Sequence, residues 1–239
     1  MTNPSNETLT LLQYEPVFGL RNGSPFCIKA EALLAASGRP YVVETWTDPR
    51  KAPKGKLPVL RHRGKLIADS TFIKLYLQDT FGIDFDEGLS DAERAVADAF
   101  VKLCEEHLYF VLFYARWMEE HNWPVLRDAY FKAIPSLVRR PVAAQLRKQA
   151  FKAMHGQGLG RHAREEIYAL GAGDLRSLGA FLGDKPFFMG ERPSSVDATV
   201  YAWVTSIVDA PLSSPLKDAA LSHENLVRYG ERMAAHYFG

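Results

Sequence analysis

Cysteine is scarce in this 239-residue chain: Cys27 and Cys104 are the only two, far apart in sequence. That excludes a disulfide-stapled scaffold and makes a reducing compartment the expectation. Charge of one sign is lacking too. Lysine and arginine number 29 against 28 aspartates and glutamates, a net charge of +1. The whole molecule therefore carries no bias toward nucleic acid or an anionic membrane. No window approaches about 18 uninterrupted apolar residues, so a membrane-spanning helix is not expected. The opening MTNPSNETLTLLQYE has neither a basic start nor a long apolar core, so no export leader is expected and cytoplasm is the reading. No His/Cys/Asp/Glu grouping has metal-ligand spacing, no glycine-rich loop could cradle a phosphate, and no nucleic-acid-binding module is evident. Internal repeats and low-complexity tracts are absent. What remains is ordinary globular composition, 47% apolar and 24% charged, long enough for one large domain or two modest ones.

The hydrophobic period switches repeatedly over the first 80 or so residues and not thereafter. Residues 8–14 (TLTLLQY) form a β-rich run, followed by the loop PVFGLRNG. Residues 25–36 read as a helix, with Ser24 at its N-cap, Pro25 in its first turn and Gly38 as its stop. Residues 40–45 make a second strand. The stretch DPRKAPKGK is too rich in Pro and Gly for a full helix and reads as a loop or degenerate turn. Residues 57–61 and 65–67 are short strands around a turn. Ser70 is read as capping a helix to about Asp79, with Phe72, Ile73, Tyr76 and Leu77 on its apolar side. After an acidic linker the period is purely helical. A helix is expected from Ser90 to about His121, carrying Val96, Phe100, Leu103, His107, Phe110, Tyr114 and Trp117 at helical spacing. Further helices are expected at 125–138, 142–154, 162–183, 195–208 and 224–237.

Four short motifs occur at the joints of this pattern: GSPFC at 23–27, KGKLPVL at 54–60, IADSTFIKLYL at 67–77 and FFMGERPSSVDATVYAWV at 187–204. In this order, over most of the chain, they resemble the glutathione transferase superfamily. The long loop before Ser24, the shortened second-helix region and the Ser-x-x-Asp-Ala box are most similar to its failed-axon-connections and metaxin-like branch, in which bacterial members occur. The resemblance implies an α+β two-domain protein. Its first domain, at 1–82, is thioredoxin-like (β-α-β-β-β-α with a shortened second helix). Its second, at 90–239, is an all-α bundle. It implies glutathione as co-substrate, no metal, a small hydrophobic electrophile as second substrate, a cis Leu57–Pro58 bond and a homodimer.

Each motif has chemistry suited to that task. Glutathione transfer needs a thiolate at neutral pH, although a free thiol titrates near 8.5. Ser24 at a helix start offers a hydroxyl and nearby N–H groups to an incoming sulfur. Leu57, before Pro58, offers its backbone to the peptide's cysteine residue. Helix N–H groups at Ser70 suit the γ-glutamyl carboxylate and Asp69 the α-ammonium. Lys56, with Lys54 or Lys51 as alternates, suits the glycine carboxylate, although a solvated loop explains these lysines equally well. Cys27, three residues after Ser24, resembles a Cys-x-x-Cys motif without its first thiol and is read as core; a monothiol role is the lesser reading. Tyr109, Phe113, Tyr114 and Trp117 offer aromatic surface to an electrophile, but only some of such a stripe can face a cleft. Ser194 and Asp197 form a capping box with a folding role. Between Arg127 and Arg164, nine basic residues stand against Asp128 alone, a pattern read as a solvated basic face. Two activities remain in view: Ser-type glutathione conjugation, or a scaffold that keeps the fold with little turnover.

Overall fold

The computed structural model describes residues 8–239; residues 1–7 of the expected first domain, and with them the start of the leader reading, lie outside the described residues. The fold begins with strand β1 (Leu9–Gln13), helix α1 (Pro25–Ala36), strand β2 (Tyr41–Thr45), a 3-10 turn at Pro49–Lys51, strands β3 (Val59–His62) and β4 (Lys65–Ala68), and helix α2 (Ser70–Phe81). The sheet order is β2-β1-β3-β4, with β1 parallel to β2 and antiparallel to β3. β1 is central and buried along its length. Its period of two divides it between two clusters. Leu9 and Leu11 join Ile28, Leu33, Ile73 and Leu77, whereas Leu12 joins Cys27, Leu57, Val59 and Ala68.

The remainder is helical: α3 (Asp91–Lys102), a π-helical turn (Leu103–Leu108), α4 (Tyr109–Trp117), α5 (Trp123–Tyr130), α6 (Ser136–Gln157), α7 (Arg164–Leu182), α8 (Ser195–Val208), α9 (Pro215–Leu221) and α10 (Glu224–Phe238). The two parts share one core. α1 lies against α8, with Phe26 edge-on to Trp203 at 5.0 Å between ring centroids. Asp86, in the segment between α2 and α3, accepts the Ser195 N–H and hydroxyl at 2.8 and 2.9 Å, capping α8 from 109 residues away. Lys29 of α1 pairs with Glu105 of the π-helical turn, both buried.

Several sequence expectations need correction. Asp69, not Ser70, is the N-cap of α2, because its carboxylate accepts the Thr71 N–H at 2.9 Å. Phe72 is half-exposed rather than on the apolar side, and the Lys54 ammonium lies over its ring. The helix from Ser90 ends at Trp117, and its buried stripe is Ala97, Val101, Cys104, Leu108, Val111 and Ala115. That aliphatic stripe lies one position beside the aromatic one and packs toward α7 and α8. The two helices expected at 125–138 and 142–154 fall instead into α5 and an α6 that runs through Pro141. Leu137, four residues before Pro141, is 91% exposed, so the carbonyl that loses its donor meets water. Helix α9 was not foreseen; Ser214 caps it and Pro215 opens it, a pair that reads in sequence as a turn.

Candidate functional site

The loop between β1 and α1 is held by side chains at both ends. Asn22 is fully buried; its amide donates to the Tyr14 carbonyl at 2.7 Å, and its oxygen accepts the Ser24 N–H at 3.0 Å. The Gly23 carbonyl accepts from the Tyr130 hydroxyl at 3.0 Å and from the Arg116 guanidinium. Only glycine fits there, since a Cβ would lie 2.7 Å from a Val17 methyl and 3.0 Å from the Tyr130 ring.

Ser24 therefore enters α1 from a fixed direction, with extended backbone and Pro25 following. Its hydroxyl caps no backbone N–H. The first turn of α1 carries no acidic side chain, so the positive end of the helix is left for a ligand. Burial pushes the Cys27 thiol up to about 12, with the Ser24 hydroxyl and the Tyr14 backbone working against that rise. At neutral pH such a group is almost wholly protonated, which removes Cys27 as a nucleophile. Alkylation of the native protein is accordingly expected to leave Cys27 and the equally buried Cys104 unmodified, and mass spectrometry should find adducts on them only after denaturation.

Across the sheet, Leu57–Pro58 is cis and Leu57 is buried. Burial raises the pKa of the Tyr14 hydroxyl, with the Leu57 backbone working against that rise. Tyr14 packs against the cluster that holds Leu57 while its carbonyl holds Asn22, so it stands between the Ser24 loop and the Leu57 turn. The Asp69 N–H donates to the Pro58 carbonyl at 3.2 Å, which ties the turn to the start of α2. Asp69 holds a positive φ of 91°, rare for a side chain other than glycine. Ser70 beside it is 2% exposed, and its hydroxyl has no partner among the described residues. An orphaned hydroxyl next to a helix N-terminus suits a carboxylate. Lys56 is exposed and has no ion-pair partner among the described residues.

The aromatic residues divide. Tyr109, Phe113 and Trp117 form one run along α4, with Phe113 stacked on Trp117 at 5.5 Å and Trp117 edge-on to Tyr130. Tyr130 reaches back to Phe18 in the loop before Ser24, so this run borders the site. Tyr114 points elsewhere and packs edge-on against Tyr168 of α7. Ser194 and Asp197 lie in the interior: the Asp197 carboxylate accepts from the Phe188 and Ser194 N–H groups and the Ser194 and Tyr229 hydroxyls, all at 2.7–2.9 Å. The basic stretch largely finds local partners. Arg147 bonds Glu120 and the Trp117 and Met118 carbonyls, Arg164 bonds Glu119, and Lys132 bonds Glu15.

Tyr14, Asn22, Arg116 and Tyr130 were not singled out from sequence. Asn22 before Gly-Ser was a readable Asx-turn signal; Arg116 and Tyr130 reach Gly23 only through the tertiary fold. Among the described residues, no three His, Cys, Asp or Glu side chains could hold a metal ion. No helix there is long and apolar enough to cross a membrane.

Two family models match the chain: glutathione S-transferase N-terminal domain over residues 25–122 and glutathione S-transferase C-terminal domain over residues 171–233. The isoprene-epoxide–glutathione S-transferase of Rhodococcus sp. (strain AD45) is 33% identical over 96% of this chain and 99% of its own. Failed axon connections of Drosophila melanogaster is 29% identical over 97% of this chain and 58% of its own. Among solved structures, a glutathione transferase from Phanerochaete chrysosporium superposes with a TM-score of 0.62 at 16% identity, covering 98% of both chains.

Proposed function

Because the chain belongs to the glutathione S-transferase family, we propose that it binds glutathione between Ser24, Leu57–Pro58 and Asp69–Ser70 and conjugates it to small hydrophobic electrophiles. The observation that carries this reading is the orphaned Ser70 hydroxyl, buried at the start of α2 beside the Leu57–Pro58 turn, to which the Asp69 N–H ties it. The γ-glutamyl carboxylate would take Ser70 and the α2 N–H groups, the α-ammonium Asp69, the cysteine backbone Leu57, and the glycine carboxylate Lys56.

The Ser24 hydroxyl then donates to the peptide's sulfur. Lowering a thiol pKa by about two units requires roughly 2.7 kcal/mol of preferential stabilisation of the thiolate. One charge-assisted hydrogen bond supplies about 1.5–3 kcal/mol, and the helix end adds to it. The thiol proton leaves to solvent and the sulfur attacks an electrophilic carbon. The S–C bond forms as the bond to the leaving group breaks; for a strained three-membered ether, the released alkoxide takes a proton from water. Tyr109, Phe113 and Trp117 would line the electrophile's side, and Tyr114 only if the α7 contact opens.

Domain limits near residues 82 and 90, a role in detoxification and a cytoplasmic setting belong to the same reading. So does a homodimer, for which the exposed Leu66, Phe72, Leu75 and Val96 on β4, α2 and α3 offer an apolar face. One observation favours a second reading, a binding or scaffold protein: the Ser24 hydroxyl acts on the buried Cys27 thiol, working against the rise of its pKa. Conjugation of glutathione to epoxides and aryl halides separates the two, since a scaffold shows no turnover above the uncatalysed rate. Ser70→Ala should raise the KM for glutathione about tenfold, the loss of roughly 1.4 kcal/mol of binding, with kcat nearly unchanged. Steady-state kinetics with varied glutathione checks this; an unchanged KM would place the carboxylate elsewhere.

A further inference from the structure

Arg116 is a full positive charge in the protein interior with no negative charge to meet it. It is 4% exposed, and no carboxylate lies within ion-pair distance among the described residues. Its guanidinium donates to the Gly23 carbonyl, to the Ser206 carbonyl at 2.7 Å and to the Tyr130 hydroxyl at 3.2 Å, while Nε has no partner. A void of about 10 Å³ beside Arg116 and Ser206 is about the size of one water molecule, enough to hydrate Nε but not to balance the charge.

Leaving a cation buried and uncompensated is costly, and proteins tolerate it where something offsets it. The ionisable groups tied to Arg116 are hydroxyls: Tyr130 of α5, which accepts from it at 3.2 Å, and Tyr109 of α4. Glu31 of α1, the carboxylate on the helix that Ser24 opens, is already taken by Arg21 and by the Gln13 amide. Arg116 also works against the burial that pushes the Tyr109 hydroxyl up to about 12, so its field reaches the aromatic side of the site. The missing counter-charge is one that arrives with a ligand.

We propose that Arg116 is the positioning residue of this site: by holding the Gly23 carbonyl it aims Ser24, and its unpaired charge stabilises the bound peptide's sulfur as thiolate. The inference rests on the glutathione reading and deepens it. It assigns to one buried side chain both the orientation of the hydroxyl donor and part of the thiolate's stabilisation. Tyr130 shares the Gly23 carbonyl but brings no charge, so the two contributions can be separated.

The test is a pH titration of the thiolate ultraviolet absorbance of bound glutathione, with kcat/KM measured across the same pH range. It compares wild type, Arg116→Gln, Arg116→Lys and Tyr130→Phe. Removing the charge should raise the bound thiol's pKa by at least about one pH unit, since an opposite charge at close range shifts a pKa by about 1–3 units. At pH 7, kcat/KM should fall about tenfold or more and recover as pH rises. Lysine, which keeps the charge without the fork, should hold the thiol pKa near that of wild type while kcat falls. Tyr130→Phe should leave the thiol pKa in place. If Arg116→Gln does not fold, Arg116→Lys against Tyr130→Phe still decides, because a lysine variant whose thiol pKa rises as far as that of free glutathione overturns the charge role. Equal titrations in all four proteins overturn the inference while leaving the transferase reading intact. A wild-type chain that binds no glutathione overturns both.

Discussion

Ser24→Ala should lower kcat for conjugation at pH 7 by about 10²- to 10³-fold, the usual cost of losing one donor aimed at a developing anion. The KM for glutathione should change far less, because Ser70, Asp69 and the Leu57 backbone hold the rest of the peptide. This substitution separates catalysis from folding unusually well. An N-capping serine replaced by alanine costs about 1 kcal/mol of stability, but the Ser24 hydroxyl caps no backbone N–H, so that loss is not expected here. The thermal midpoint should stay near that of wild type. Rate assays beside a melting curve decide the matter: full activity in Ser24→Ala refutes the assigned mechanism, and a collapse of stability would make Ser24 a structural residue.

The largest effect on stability is expected at Asp197, far from the chemistry. Its side chain is fully buried, and four donors converge on it from the 187–194 turn, the start of α8 and Tyr229 of α10. Asp197→Ala removes the acceptor for all four and leaves buried donors unpaired, a loss of about 3–5 kcal/mol. For a chain of this size, each kcal/mol moves the midpoint by about 2–4 °C, so a fall of roughly 6–20 °C follows. Asp197→Asn keeps the shape and one acceptor oxygen and should lose less. Calorimetric melting of both variants is the check, and a midpoint within about 2 °C of wild type for Asp197→Ala would contradict the capping role.

Much of this was legible in the chain because local signals and tertiary outcome agree. Pro25 after Ser24 and glycine at 38 fixed α1 to the residue, and Asp197 three positions after Ser194 announced α8. The fold class follows from the order of those elements, and the two family models cover both halves. Other features depend on what arrives from elsewhere. The capping of α8 by Asp86 spans 109 residues, and the hold of Arg116 on Gly23 spans 93. Phe72 read as core by spacing alone, yet Lys54 covers it at the surface. Pro141 removes a donor from the ladder of α6, yet the helix continues through it where Leu137, one turn before, is exposed. The segment 123–170, which neither family model matches, contains α5 and α6, where the expected boundaries were furthest off. It also contributes Tyr130, which closes over the Ser24 loop from a part of the sequence with no motif.

The central claim is that Ser24, Leu57–Pro58 and Asp69–Ser70 form one glutathione site. A crystal structure of the protein soaked with glutathione tests it most directly. The sulfur should lie within hydrogen-bond distance of the Ser24 hydroxyl, the cysteine backbone against Leu57, and the γ-glutamyl carboxylate on Ser70. Glutathione bound with its sulfur turned away from Ser24, or no glutathione at these residues at saturating concentration, would contradict it.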